Sequence, residues 1–409
     1  MKIVMVNDND PDAVVGGTEH YIADLTQALE TDGHEVYWFV LGDDSSADIG
    51  GSATRPGSLK GSAYRRRPGK HVFRPGQANR SVSIIRRAVF YPALNRELGA
   101  YVARVRPDVV HLHNNYRYPF TILAATRGCR VVQTVHDYCA IYPTAYCSRQ
   151  DSCAGRSVFA ALRHGCLTWK LLATEACLLY GRRFLDRRFV DAFIAPSRDL
   201  ATHLERMGHT RVAHVPNLRL LAHAEPTPAP KGQVVLYVGG LVEHKGVAML
   251  LAAFARVVSE APQASLWLVG DGLAIDDLKA SAAGLCQVRF LGWRSPEELA
   301  RIYRQARAVV IPSLWMENAP LVAIEASAPG GAGGQPRGGG GPELVDDGRT
   351  GFLFDRGDSD GLAERLHLLL TNQALAGKLG AAGHERLGEL RSPAKHLERL
   401  MAVYDKARR

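Results

Sequence analysis

The sequence predicts an α/β protein made of two Rossmann-like, doubly wound domains facing each other across a cleft. Three observations carry this reading. Short, nearly continuous apolar runs alternate with helical periodicity, the pattern of a parallel sheet covered on both faces. The series breaks once, at the Pro/Ala stretch "LLAHAEPTPAPKGQ" (220–233), and then restarts. A chain of 409 residues is long enough for two full cores.

The elements follow in order. "KIVMVND" (2–8) is the first strand, and a helix from Thr18 places Ile22, Leu25 and Leu29 on one face. "HEVYWFV" (34–40) is the second strand. After a basic loop come a helix near Ser81–Arg104 and the strands "PDVVHLHN" (107–114) and "CRVVQTVHD" (129–137). A cysteine-bearing insertion, a long helix, "DAFIAPS" (191–197), a short helix and "RVAHVPN" (211–217) complete the first series. The second opens with "VVLYVGG" (234–240), helix Val247–Ser259, "ASLWLVGDG" (264–272) and helix Ile275–Ala283. It continues through "QVRFLGW" (287–293), helix "SPEELARIYRQA" (295–306), strand "AVVIPS" (308–313) and a helix opening near Asn318–Pro320. Helical patterns from about Ser359 close the chain. The expected domains are 1–220 and 232–390, with a terminal helix, 391–409, able to pack back on the first.

Composition bounds the function. With 46% hydrophobic and 22% charged residues the chain is globular rather than disordered. The richest apolar run, "SVFAALRHGCLTWKLLATEACLLYG", is interrupted by Arg163, His164, Lys170 and Glu175, so no bilayer span is expected. "MKIVMVND" is too briefly apolar for a leader. A cytoplasmic protein, peripheral at the inner face of a membrane, is the expectation. The net charge of +9 is concentrated: residues 49–96 hold 11 Lys or Arg and no acid, leaving 39 basic against 41 acidic residues elsewhere. Arg65, Arg66, Arg67, Arg86 and Arg87 suit an anionic membrane or a lipid-linked diphosphate, or else form a solvated loop. No nucleic-acid partner is expected, because no recognised module accompanies the patch. Cys139, Cys147, Cys153 and Cys166 lack the paired C-x-x-C of a zinc ribbon and read as reduced thiols.

Four stretches sit at strand ends, where ligands of such sheets bind. In "GGTEH", Gly16 and Gly17 allow a backbone to approach a diphosphate at a helix N-terminus. In "VGGLVEHKG", Lys245 can neutralise a phosphate; "VGDG", with Gly270, is a turn suited to lie beside a flat ring. In "PSLWMENAPLVAIE", Glu317 and Glu325 are eight apart. The first falls in the loop and the second on the helix, where it can take both hydroxyls of a ribose. Asn318, Ala319 and Leu321 can offer backbone N–H groups to phosphates. Asp8–Asn9–Asp10 matches a metal-binding D-x-D, but turn chemistry explains it better.

Together "GGTEH", "HD", "APS", "VPN", "VGGLVEHKG", "VGDG", "PSLWMENAPLVAIE" and "PELV" resemble the retaining glycosyltransferases of family 4, over nearly the whole chain. The resemblance implies the GT-B fold and transfer of a sugar from a nucleoside-diphosphate sugar to a glycan or lipid-linked hydroxyl, as in polysaccharide or glycolipid synthesis. It also implies no cofactor and no essential metal. The first domain would be on the acceptor side and the second would bind the donor. Carried over by position, Gly16 and Gly17 would approach the donor phosphates and Lys245 would stabilise the leaving diphosphate. Glu317 would contact the sugar, Glu325 would hold the ribose, and His136 would lie near the transferred sugar. Asn217 and Pro312 would mark cleft walls. Gly240, in the donor turn, stands where the family has Arg. A nucleotide-sugar epimerase of the same fold and a disabled nucleotide-binding remnant are the rival readings.

One stretch departs from the pattern. Eight of the fourteen residues from Ala328 to Gly341 are glycine, where the resemblance implies a buried, Val-rich strand. The length is right and the side chains are wrong, as two compensating frameshifts would leave it; a native glycine loop is the other reading. Missing branched residues, each normally worth ~1.5–3 kcal/mol when buried, are expected to weaken the second domain and the seating of Glu325.

Overall fold

The computed structural model describes residues 1–11, 16–41, 69–73, 90–115, 119–138, 162–163, 176, 180–181, 183–221 and 232–407. The chain divides into two compact units. One runs to Asn217 and takes back the last helix, from Pro393; the other is Leu218–Ser392.

The first unit contains β1 (Lys2–Asn7), α1 (Gly17–Thr31), β2 (Glu35–Leu41), β3 (Lys70–Phe73) and α2 (Pro92–Val105). These are followed by β4 (Val109–Leu112), α3 (Pro119–Ala125), β5 (Val131–Thr134), β6 (Ala192–Ala195), α4 (Arg198–Arg206) and β7 (Val212–His214). The seven strands form one sheet in the order β3-β2-β1-β4-β5-β6-β7. Every pairing is parallel. β1 and β4 are wholly apolar or shielded at their centres, because both faces of a parallel sheet are covered. Of the helix expected at 81–104, residues 81–89 lie outside the described residues; the helix Pro92–Val105 opens on Pro92, whose missing N–H and fixed φ suit a first helical position.

The second unit holds β8 (Val234–Val238), a 3₁₀ turn (Glu243–Lys245), α5 (Val247–Glu260), β9 (Ser265–Val269), α6 (Ile275–Ser281), β10 (Val288–Gly292) and α7 (Pro296–Tyr303). It continues with β11 (Ala308–Val310), α8 (Leu321–Ser327), β12 (Ala332–Pro336), α9 (Gly341–Leu344), β13 (Gly351–Phe354), α10 (Ser359–Thr371) and α11 (Gln373–Arg386). Its sheet runs β10-β9-β8-β11-β12-β13, again all parallel. α7 carries the capping box that Ser295 and Glu298 encode. Two parallel sheets flanked by helices bear out the doubly wound α/β reading.

The glycine tract is not a loop. Ala332–Pro336 is an interior strand, paired in register with β11 (Val310↔Gly334) and with β13 (Gly334↔Phe352). Parallel pairing uses only backbone groups, so neighbours on both sides can hold a strand that has almost no side chains. Their absence leaves a cavity of about 20 Å³ lined by Val309, Ile311, Ala326, Leu344, Val345 and Leu387 beside Gly333 and Gly334.

The last helix, α12 (Pro393–Lys406), packs on the first unit. Tyr404 lies 2.8 Å from His111 Nδ1, and His396 sits between Tyr21, at 3.2 Å, and the Pro216 carbonyl, at 3.0 Å. Among the described residues, no helix is long and apolar enough to cross a membrane.

Candidate functional site

Each sheet reverses its winding once, between β1 and β4 in the first unit and between β8 and β11 in the second. The carboxyl ends of strands at such a switch point are where open α/β sheets bind ligands. Gly16 and Gly17 follow β1, Gly240 and Lys245 follow β8, and Glu317 follows β11, while Gly270 and His136 follow the neighbouring strands β9 and β5.

In the first unit, Gly16 caps α1 in an extended conformation. A Cβ there would run into the carboxylate of Glu19, whereas one on Gly17 would meet open space. The D-x-D residues are engaged locally: Asn9 donates to Glu19 at 3.1 Å, and Asp10 pairs with Lys70 at 2.6 Å. Burial pushes the Glu19 carboxyl up, although hydrogen bonds from Asn9 and Asn7 work against it. His136 follows β5, and its Nε2 lies 3.0 Å from Nδ1 of His113, at the end of β4. Burial lowers the pKa of His136 to about 3 and holds His113 well below the ordinary 6.5, so both rings are neutral at neutral pH. His111 and His113 were not singled out from the sequence; their alternation in "VVHLHN", which puts both on one side of the chain at the end of β4, is the signal that could have found them.

In the second unit the glycines of the two strand-end turns meet each other. Gly270 has φ +130°, and a Cβ on it would strike the Gly239 carbonyl oxygen. The turns are stitched by Gly239 N–H to Val269 O, 3.0 Å, and Leu241 N–H to Asp271 O, 2.9 Å. Gly240 accepts a 2.7 Å hydrogen bond from Tyr237 on its carbonyl. Gly246, with φ +70°, lets the start of α5 press against the Pro312 carbonyl. That contact brings the 3₁₀ turn and the end of β11 together, as does Leu314 N–H to His244 O at 2.9 Å.

Lys245 and Glu317 meet there. Lys245 Nζ lies 2.8 Å from Glu317 Oε1 and 4.7 Å from the centre of the Trp315 ring. The same carboxylate oxygen accepts from Trp315 Nε1 at 2.8 Å and Ser313 Oγ at 2.5 Å. Burial pushes the Glu317 carboxyl up, but the Lys245 charge and these hydrogen bonds outweigh it and hold the group below 4.5. Gly340 N–H, from the glycine tract, bonds the Glu317 carbonyl at 2.9 Å and so fixes its backbone. Ser313 and Trp315 were not singled out from the sequence; their spacing from Glu317 carries no periodic signal.

Glu325 sits on α8, 8% exposed, with both oxygens engaged. Arg219 Nε donates to Oε1 at 2.7 Å, and Tyr303 Oη donates to Oε2 at 2.8 Å. One lone-pair direction on each of its oxygens is thus already taken. Leu321 is the first residue of α8, with Asn318 buried and Ala319 half-buried in the loop before it. Arg65, Arg66, Arg67, Arg86 and Arg87 lie outside the described residues, as do Cys139, Cys147, Cys153 and Cys166.

Known proteins share this architecture. Residues 15–218 match the model for Glycosyltransferase Family 4, and residues 221–386 match the model for Glycosyl transferases group 1. A D-inositol 3-phosphate glycosyltransferase of Corynebacterium kroppenstedtii is 35% identical over 176 residues, which is 40% of this chain and 39% of that protein. The match therefore spans about two-fifths of that relative's own length. Sucrose-phosphate synthase from Thermosynechococcus elongatus superimposes with a TM-score of 0.73 at 22% identity, covering 99% of this chain and 98% of its own. Anabaena Alr3699/HepE, solved in complex with UDP-glucose, gives 0.72 at 17% identity, covering 99% and 100%. With both family models matched and the paired parallel sheets in place, the chain belongs to glycosyltransferase family 4 and has the GT-B fold.

Proposed function

We propose that the protein transfers a sugar, with retention and without an essential metal, from a nucleoside-diphosphate sugar to a hydroxyl of a glycan or lipid-linked acceptor. The observation that carries this is the Lys245–Glu317 pair at the switch point of the second sheet. An ammonium held by a carboxylate and an indole is fixed in place before substrate arrives, so little reorganisation is needed as charge develops on a leaving diphosphate. Glu317, kept ionised by its donors, is suited to accept from sugar hydroxyls. His136, kept neutral by burial, offers a hydrogen bond without bringing a positive charge near an oxocarbenium-like centre.

The Anabaena neighbour's complex with UDP-glucose supports a uridine nucleotide as the first donor to try. A cytoplasmic protein meeting an anionic membrane surface through Arg65, Arg66, Arg67, Arg86 and Arg87 is the companion proposal, supported by the acid-free composition of residues 49–96.

The test is a panel of nucleoside-diphosphate sugars with and without acceptor glycans, in EDTA, following release of nucleoside diphosphate. Acceptor-dependent release is expected, and Lys245→Ala should lower kcat more than it weakens donor binding. Interconversion of the donor sugar with no acceptor present would identify an epimerase instead. Donor binding without turnover of any kind would identify a disabled remnant.

A further inference from the structure

Glu325 is held from two sides. Arg219 approaches Oε1 from the segment that opens the second unit, and Tyr303, the last residue of α7, approaches Oε2. Tyr303 is 4% exposed and packs with Leu236, Val309 and Ala326, so its hydroxyl has little freedom. Arg219 is tied through its own N–H to the Leu390 carbonyl at 3.1 Å, and its side chain is 12% exposed. Burial, reinforced by the neighbouring carboxylate, pushes the Tyr303 phenol well above 10, so it remains a donor.

An ionised carboxylate offers about four lone-pair directions. The two donors occupy one on each oxygen, which leaves one on each for a vicinal diol. α8 is only seven residues long and precedes a strand nearly bare of side chains, so hydrogen bonds from outside the helix add to its packing in aiming Glu325. We infer that Arg219 and Tyr303 are positioning residues that aim Glu325 at the two hydroxyls of the donor's ribose and so set the preference for ribonucleotides. This rests on the proposed function, in which Glu325 holds the ribose. Neither residue belongs to the motifs that carry the family resemblance.

The experiment is calorimetric titration of the full chain with UDP and 2′-deoxy-UDP, and with ADP and 2′-deoxy-ADP in parallel. The variants are Glu325→Gln, Tyr303→Phe, Arg219→Gln and Arg219→Lys, each with its melting temperature. The parent should prefer the ribonucleotide by about tenfold or more, the value of a hydrogen bond to a charged group. Glu325→Gln should bring that ratio close to one. Tyr303→Phe and Arg219→Gln should each remove most of it while holding affinity for the deoxynucleotide within about threefold of the parent. Arg219→Lys, which keeps the charge but loses the planar fork, should fall between. A purely structural role would lower melting and both affinities together and leave the ratio alone. If Tyr303→Phe and Arg219→Gln keep the parent's ratio while Glu325→Gln loses it, the positioning role is overturned. If the parent shows no preference, or Glu325→Gln keeps it, the ribose reading itself fails and takes this inference with it.

Discussion

At the scale of single residues, the candidate site is decided by which charges have partners. Glu317 is half-buried, and it stays ionised because Lys245, Ser313 and Trp315 converge on one of its oxygens. Its lowered pKa has a sign that can be tested. A carboxyl depressed in the folded state contributes stability that is full above its unfolded value, 4.5, and is lost as pH falls through the lower folded value. Lys245→Ala removes the principal charge that depresses it, so the variant should be less stable at neutral pH by about 1–3 kcal/mol, between exposed and buried pairs. The difference should close as the pH is taken below 4.5 in matched urea titrations. A gap that stays constant through that range would show that Lys245 does not act on Glu317. Lys245, Glu317 and Glu325 were legible in the sequence because each lies between the end of a strand and the first turns of the helix that follows it, a local pattern. Their partners were not. Arg219 and Glu325 are 106 residues apart, and no periodicity links them.

At the scale of elements, the glycine tract shows how a strand can form without a strand's composition. The sequence pattern located it correctly, between α8 and "PELV", since the alternation of βα units leaves no other place for it. Its side chains gave no sign of its state, because here the neighbouring strands supply the order. The glycines then divide by geometry. Gly338 and Gly339 have φ of +100° and +59°, which favour glycine, and a Cβ on Gly341 would lie 2.7 Å from the Pro336 carbonyl. Gly333 and Gly334 are different: a Cβ there would meet Val345 at 3.6 Å and Val310 at 3.9 Å, ordinary contacts beside the cavity. Gly333→Ala and Gly334→Ala should each stabilise the second unit by about 0.5–1 kcal/mol, by stiffening the unfolded chain and filling space. Gly341→Ala should destabilise it, and thermal melts of the three variants decide the matter. If all three lower the melting temperature, the tract is already well packed. The coding DNA gives a separate test. A shifted frame between the codons for Ala326 and Gly341 that encodes a Val-rich strand would identify two compensating frameshifts, and its absence would mark the glycines as native.

For the whole molecule, the two units differ in how they answer to acid. Among its described residues the first holds four imidazoles that are neutral at neutral pH, three buried and His136 half-buried: His111 and His136 at about 3, His396 at about 4, and His113 well below 6.5. Burial is the leading cause in each, and neighbouring histidines oppose charging further at His111 and His113. Among the described residues of the second unit, only His244 is shifted in this way, to about 4. The unfolded chain takes up protons near 6.5 that the folded unit refuses. The stability due to each group is therefore complete above 6.5 and is lost as pH falls from there towards the folded value. Once the unfolded imidazoles are charged, each contributes a slope of about 1.4 kcal/mol per pH unit. Glu19, whose carboxyl is raised, works the other way within the first unit but is a single group. Between about pH 7 and pH 5.5 most carboxylates do not titrate, so the histidines decide the outcome. Hydrogen exchange across that range, corrected for its intrinsic pH dependence, should show protection falling in β4 and β5 several times faster than in β8 and β9. His396 and Tyr404, on the last helix, belong to the same buried cluster, so peptides from α12 should lose protection with β4 although they follow the second unit in the chain. Equal loss in both sheets would mean that the imidazoles of the first unit are already charged or hydrated when folded. Their neutrality could then no longer be used in assigning a role to His136.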